Sequence, residues 1–220
     1  MAVPPRLLRW PSPCLMLVTD EARLRGRDIK AVVSLAVSGG VNAVQLREKD
    51  LPATGLYHTA VALHSILRGR ALLLVNDRLD VALACGADGV HLPEDGLPGK
   101  PARALAGENC LVGRSVHSVD AARRAEEDGL DYVILGTVFE TVSKLGQLPA
   151  GVSLVRGVAD AIRLPVIAIG GIRPGNVREV IEAGADGVAV IGAILDADDP
   201  QRAAEDLRRA LDDAYGVTAR

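Results

Sequence analysis

Short apolar runs recur along this chain, and most end in a carboxylate, an amide, a guanidinium or an ammonium. They are Cys14–Asp20, Val41–Lys49, Ala71–Arg78, Gly89–His91, Leu111–Ser115, Tyr132–Gly136, Pro165–Gly171 and Gly187–Gly192. Uninterrupted apolar runs of this length suit strands buried on both faces, as in a parallel sheet covered by helices. Between them, apolar residues at three- and four-residue intervals predict helices over Asp28–Val37, Pro52–Leu67, Val119–Glu127, Val152–Ile162, Pro174–Ala183 and Pro200–Tyr215. Eight strands about 25 residues apart, with polar ends, predict an α/β fold: a single (β/α)8 TIM barrel with its chemistry at one rim.

An internal repeat strengthens that expectation. Gly39–Gln45, Gly86–His91, Gly129–Ile134 and Gly184–Ala189 each run from a glycine through a short link into an even-numbered strand. A left-handed glycine cap closing a helix accounts for the pattern, so the chain reads as four quarter-barrels. Asp88, Asp131 and Asp186 fall at strand starts, the end of a barrel associated with stability.

Composition changes the picture only modestly. At 220 residues the chain can bury a core without metals or disulfides, and with 2% aromatics Val, Ile, Leu and Ala must fill it. The net charge of −3, with both signs interspersed, argues against a nucleic-acid surface and leaves a local anion pocket open. Cys14, Cys85 and Cys110 share no metal spacing and read as small buried hydrophobes in a reducing cytoplasm. His58 and His64 fall inside a helix and read as surface or packing residues. Residues 1–13 read as an irregular leader carrying four prolines, and 14–220 as the barrel domain. No stretch is apolar enough for a membrane span. A homodimer is compatible with the sequence, which does not fix the oligomeric state.

The strand ends carry the candidate chemistry. Gln45, Arg47 and Lys49 alternate, so their side chains share a direction, and a neutral donor with two cations suits a diphosphate. Alternatively, Arg47 and Lys49 form a solvated strand end paired with Glu48 or Asp50. Asn76-Asp77-Arg78 closes the third strand, where Asp77 is either half of an ion pair or a ligand for Mg²⁺, a hard cation preferring oxygen. Glycines closing strands seven and eight, Gly171 and Gly192, let backbone N–H groups approach a phosphate. The pattern suggests one monophosphate and one diphosphate substrate.

Six segments in order resemble the thiamine phosphate synthase and thiazole tautomerase family of barrels. They are Gln45–Lys49, Val75–Arg78, Gly86–Leu92, Gly113–Ser118, Gly136–Lys144 and Ile167–Ile172. The resemblance runs from Leu17 to about Leu195. It implies a synthase that joins hydroxymethylpyrimidine diphosphate to thiazole phosphate, releasing diphosphate, with Mg²⁺ as cofactor. Gln45, Arg47, Lys49 and Asn76 match positions holding the pyrimidine diphosphate, and Ser115 lies near it. Asp77 matches a Mg²⁺ ligand. Thr141 and Ser143 would hold the thiazole phosphate, Lys144 would neutralise diphosphate, and Gly171 and Gly192, beside Ile191, would form a backbone cradle. Arg47, Ser115 and Lys144 are the catalytic candidates.

Two departures from the family pattern stand out. The second metal carboxylate of synthases lies five residues past the strand-four histidine, where this chain has Gly96. The acid comes one residue earlier, at Asp95, which is expected to serve. The segments Gly113–Ser118 and Val138–Thr141 look more like the tautomerase branch, yet Thr137 stands where that branch has its acid–base histidine. His117 is the nearest substitute. A tautomerase, a non-catalytic thiazole-phosphate or thiamine-phosphate binder, and an unrelated aldolase using Lys144 are the alternatives.

Overall fold

The structure, a computed structural model, describes residues 10–141 and 149–218. Its strands are β1 (Cys14–Val18), β2 (Ala43–Leu46), β3 (Leu72–Asn76), β4 (Gly89–Leu92), β5 (Leu111–Val116), β6 (Tyr132–Leu135), β7 (Val166–Ile169) and β8 (Gly187–Val190). They pair in parallel in chain order, and β8 closes on β1. Helices α1 (Ile29–Ser38), α2 (Ala53–Leu67), α3 (Leu79–Cys85), α4 (Gly99–Ala106), α5 (Val119–Glu127), α6 (Gly151–Ala159), α7 (Val177–Glu182), α8 (Gly192–Leu195) and α9 (Pro200–Thr218) form the outer ring. The expected (β/α)8 barrel is the observed one.

Alternation along each strand splits the core in two. Cys14, Met16, Val18, Ala43, Leu74, Leu111, Tyr132, Ile134, Ile167 and Ala189 fill the barrel interior. The other parity, including Leu15, Leu17, Val44, Leu73, Val75 and Val90, packs against the helices. No helix among the described residues is long and apolar enough to cross a membrane.

The quarter-barrel repeat has a physical basis at the strand starts. Gly40, Gly86, Gly129 and Gly184 all have positive φ, between +68° and +107°, the region that costs glycine least. Two residues after each comes Asn42, Asp88, Asp131 or Asp186, and each grips one residue of the preceding strand twice. Asn42 donates its N–H to Leu15 O and accepts from Leu15 N; Asp88 does so with Leu73, Asp131 with Val112 and Asp186 with Val166. These side chains close the lower end of the ladder, where the backbone would otherwise lack partners. Trp10 reaches the same end and stacks on Tyr132, ring centroids 4.1 Å apart, while Pro13 O accepts from Asn42 and Arg208.

Helices α3 and α4 were not expected from the pattern. The residues of α3 are almost all apolar, so they show no 3.6-residue contrast, and α4 opens Gly-Lys-Pro and packs through alanines. Both are made by tertiary burial rather than local signal.

Candidate active site

One cavity of about 1350 Å³ opens at the C-terminal ends of the strands. It exceeds the roughly 300–1,000 Å³ usual for a single small ligand. Gln45, Arg47, Lys49, Asn76, Asp77, Asp95, Ser115, Thr141, Gly171, Ile191 and Gly192 all line it. Ser143 and Lys144 lie outside the described residues.

On the β2 side, Arg47 and Lys49 do not pair with Glu48. The half-buried Glu48 carboxylate instead accepts the Thr19 hydroxyl at 2.5 Å and the Glu21 N–H at 2.8 Å. Burial raises its pKa above the usual carboxylate value, partly offset by those bonds. Thr19 Oγ1 in turn accepts the Arg47 N–H at 2.9 Å. Glu48 therefore ties the β1 and β2 loops together, and among the described residues neither Arg47 nor Lys49 has a carboxylate partner. Gln45 is 3% exposed, and among the described residues its Nε2 has no hydrogen-bond acceptor. A buried donor left open costs about 1–3 kcal/mol, which a ligand acceptor would recover.

At the end of β3, Asp77 has φ +62° and its N–H donates to His91 O at 2.8 Å. Arg78 also lines the cavity, its guanidinium held by Asp80 through two bonds of 2.8 and 2.5 Å. Its direct ion pair is with Asp80, and it meets Asp77 only through a weaker, unbonded attraction. The loop after β4 folds against Asp77: a Cβ on Gly96 would stand 3.2 Å from Asp77 Oδ1. Asp95 is in this loop, whose course is fixed from β5. Arg114 donates to Glu94 O at 2.6 Å and Leu97 O at 3.0 Å, and His117 Nδ1 lies 2.5 Å from Glu94 Oε2. Among the described residues no three His, Cys, Asp or Glu side chains gather into a metal cage. Two carboxylates on one cavity wall still fit Mg²⁺, which usually takes one or two protein carboxylates and completes its shell with water and phosphate oxygens.

The glycines on the far wall are closely approached by neighbouring segments. Beside Gly171, φ +65°, the space for a side chain is filled by Glu140 O and Phe139 Cβ at 2.5 and 2.8 Å. Beside Gly192 it is filled by Asp196 Oδ2 at 2.5 Å and Arg23 at 3.1 Å. Their small size lets these neighbours close in on the side where a Cβ would stand. Arg23 donates to Asp196 at 2.6 Å, so the β1 loop reaches across to the β8 end. Arg173, absent from the sequence-based candidates, is a further cation on this wall without a carboxylate partner among the described residues.

At the cavity floor the candidate Ser115 joins a polar chain with His91 and Tyr132, neither of which was a site candidate from the sequence. His91 Nε2 is 2.9 Å from Ser115 Oγ, and His91 Nδ1 is 3.2 Å from the Tyr132 hydroxyl. Inward parity was the available signal: His91 follows the inward Gly89 by two positions, and Ser115 follows Gly113. Burial, and secondly the Arg114 charge, push the His91 pKa down to about 3. The unfolded chain therefore takes up a proton near pH 6.5 that the folded one refuses. Stability should fall by about 1.4 kcal/mol per pH unit from this group between roughly pH 6 and 3, with no contribution above that window. Urea unfolding across this range should show a shallower acid loss in His91→Gln than in the parent. Equal slopes would show that His91 titrates normally.

Proteins of known family are similar to this chain in sequence and fold. The family profile described as thiamine monophosphate synthase matches residues 15–194. The thiamine-phosphate synthase of Natronomonas pharaonis is 46% identical over 205 residues, covering 91% of this chain and 94% of that protein. That of Methanoculleus marisnigri is 47% identical over 196 residues, covering 88% and 93%. The solved structure of thiamine phosphate pyrophosphorylase from Pyrococcus furiosus superposes with a TM-score of 0.84 at 37% identity, covering 91% of this chain and 96% of that one. On its sequence, fold and relatives, the chain belongs to the thiamine monophosphate synthase family.

Proposed function

We propose that this protein is a transferase that joins hydroxymethylpyrimidine diphosphate to thiazole phosphate, releasing diphosphate and forming thiamine phosphate. The observation that carries this reading is one cavity holding Arg47 and Lys49, two cations without a carboxylate partner among the described residues, together with the open Gln45 donor, Asp77 and Asp95. A site handling only a monophosphate has no use for that set. The bond from the pyrimidine methylene carbon to the diphosphate oxygen breaks, and a bond from that carbon to the thiazole nitrogen forms. Arg47 and Lys49 stabilise the negative charge gathering on the leaving group, which is worth most in a site that excludes water. Val18, Ile134, Ile169 and Ile191 line the cavity and keep water from the pyrimidine-stabilised cation until the thiazole nitrogen captures it.

Asp77 and Asp95 would hold Mg²⁺, which supplies further charge neutralisation to the diphosphate. Ser143 and Lys144 keep the roles the resemblance implies, hydroxyl contact with the thiazole phosphate and neutralisation of diphosphate. Thr141, Gly171, Ile191 and Gly192 serve the thiazole phosphate. The tautomerase reading gains nothing from the geometry: Thr137 lines the cavity where that branch needs an imidazole, and His117 is engaged by Glu94. A cytoplasmic location accords with Cys14, Cys85 and Cys110 as free thiols. Self-association as a homodimer is supported by the exposed apolar side chains Tyr57 and Val61 on α2 and Leu83 on α3.

Purified protein given both substrates and Mg²⁺ should release diphosphate stoichiometrically with thiamine phosphate. Absence of release, with either substrate still bound, would leave a silent binder. Gln45→Leu should raise the KM for the pyrimidine diphosphate about tenfold while leaving thermal stability equal or higher, because the parent amide is buried without an acceptor. An unchanged KM would remove Gln45 from the substrate contacts.

A further inference from the structure

We propose that Tyr132 and His91 are positioning residues that turn the Ser115 hydroxyl into a fixed proton donor aimed into the cavity. The argument follows the protons along the buried chain. Tyr132 is fully buried, and a buried phenol needs an acceptor for its proton. Among the described residues the acceptor found for it is His91 Nδ1. Burial raises the phenol pKa well above its usual value, so the proton stays on Tyr132 and is available to donate. A neutral imidazole carries one proton, so with Nδ1 accepting, that proton sits on Nε2. Nε2 then donates to Ser115 Oγ at 2.9 Å. A serine hydroxyl that accepts from behind turns its own proton forward, and Ser115 lines the cavity.

The packing leaves the tyrosine little freedom to reverse this order. A Cβ on Gly113, the residue paired with Tyr132 across β5 and β6, would fall on the Tyr132 ring. Trp10 stacks on the same ring, with centroids 4.1 Å apart and an interplanar angle of 24°. The ring is therefore packed against both a glycine and an indole, with its hydroxyl 3.2 Å from His91 Nδ1. Arg114 adds a positive charge near the imidazole and discourages the doubly protonated form that would dissolve the polarity.

The contribution of this relay to turnover rests on the synthase reading, whereas the tautomer does not. Nuclear magnetic resonance on the full chain with ¹⁵N-labelled histidine resolves which ring nitrogen of His91 carries the proton. The His91→Asn variant identifies its signals among the four histidines. The expected parent form has the proton on Nε2. Tyr132→Phe should move it wholly or partly to Nδ1, making Nε2 an acceptor that draws the serine proton backwards. In the same variant kcat for diphosphate release should fall about tenfold with KM changed less than about twofold. In a Ser115→Ala background Tyr132→Phe should cost almost nothing more. Emission of Trp10, the sole tryptophan, reports whether the stack survives. A parent His91 protonated on Nδ1 would overturn the proposal without any activity measurement. So would a Tyr132→Phe tautomer identical to the parent's, or losses from Tyr132→Phe and Ser115→Ala that simply multiply. A parent that never releases diphosphate would instead reject the synthase reading, with the tautomer still deciding the relay.

Discussion

Asp77→Asn is expected to lower the rate of diphosphate release on the order of 10²-fold or more and to weaken its response to Mg²⁺. Asparagine is the informative substitution because Asp77 sits at φ +62°, a region asparagine tolerates better than most side chains. The backbone, the N–H bond to His91 O and the side-chain shape are all retained. Only the negative charge is lost. Asp77→Ala should lose at least as much activity and also some stability, since alanine in the left-handed region is strained by roughly 1 kcal/mol. The two variants together separate charge from conformation. Turnover that survives both Asp77→Asn and chelation by EDTA would remove the metal role from this residue.

Asp77 also illustrates how far the sequence reaches. Its place after a buried apolar run identified it as a rim residue, and the family resemblance suggested a role. That Arg78 bonds to Asp80 rather than to Asp77 depends on side-chain geometry that no spacing reveals. Glu48 repeats the lesson. It was weighed as a partner for Arg47 or Lys49, yet it turns back to Thr19 and the Glu21 N–H because the β1 loop lies beside it. The strands were legible because burial on both faces forces continuous apolar runs, and the Gly-x-Asp repeat was legible because a left-handed cap restricts residue choice. The His91–Tyr132 contact joins positions 41 apart in sequence across the barrel interior. Parity placed His91 inward, but no local rule could supply its partner. The glycines of the β7 and β8 ends were legible, whereas the close approach of Glu140, Phe139 and Asp196 to them is a tertiary matter.

The loop after β4 gives the second large effect. Exchanging the acid and the glycine, Asp95→Gly plus Gly96→Asp, would restore the spacing of the family pattern, but the loop has little room for it. A Cβ on Gly96 would stand 2.8 and 2.9 Å from the Pro93 ring, closer than side chains tolerate without a backbone shift. It would also stand 3.2 Å from Asp77 Oδ1, bringing a second carboxylate against the first. The loop cannot easily yield, because Arg114 holds Glu94 O and Leu97 O on either side of the exchange. Asp95→Ala alone should lower diphosphate release about tenfold and raise the Mg²⁺ concentration required, as expected for one of two metal carboxylates. The exchange should cost on the order of 10²-fold, because it removes the acid from its working position and distorts the loop over Asp77 as well. Gly96→Ala separates the two causes, since it adds the Cβ without the charge: a loss approaching that of the exchange would assign the effect to the Pro93 contact. An exchange variant as active as the parent would show that the loop accommodates either register, and the one-residue shift of the acid would then be neutral.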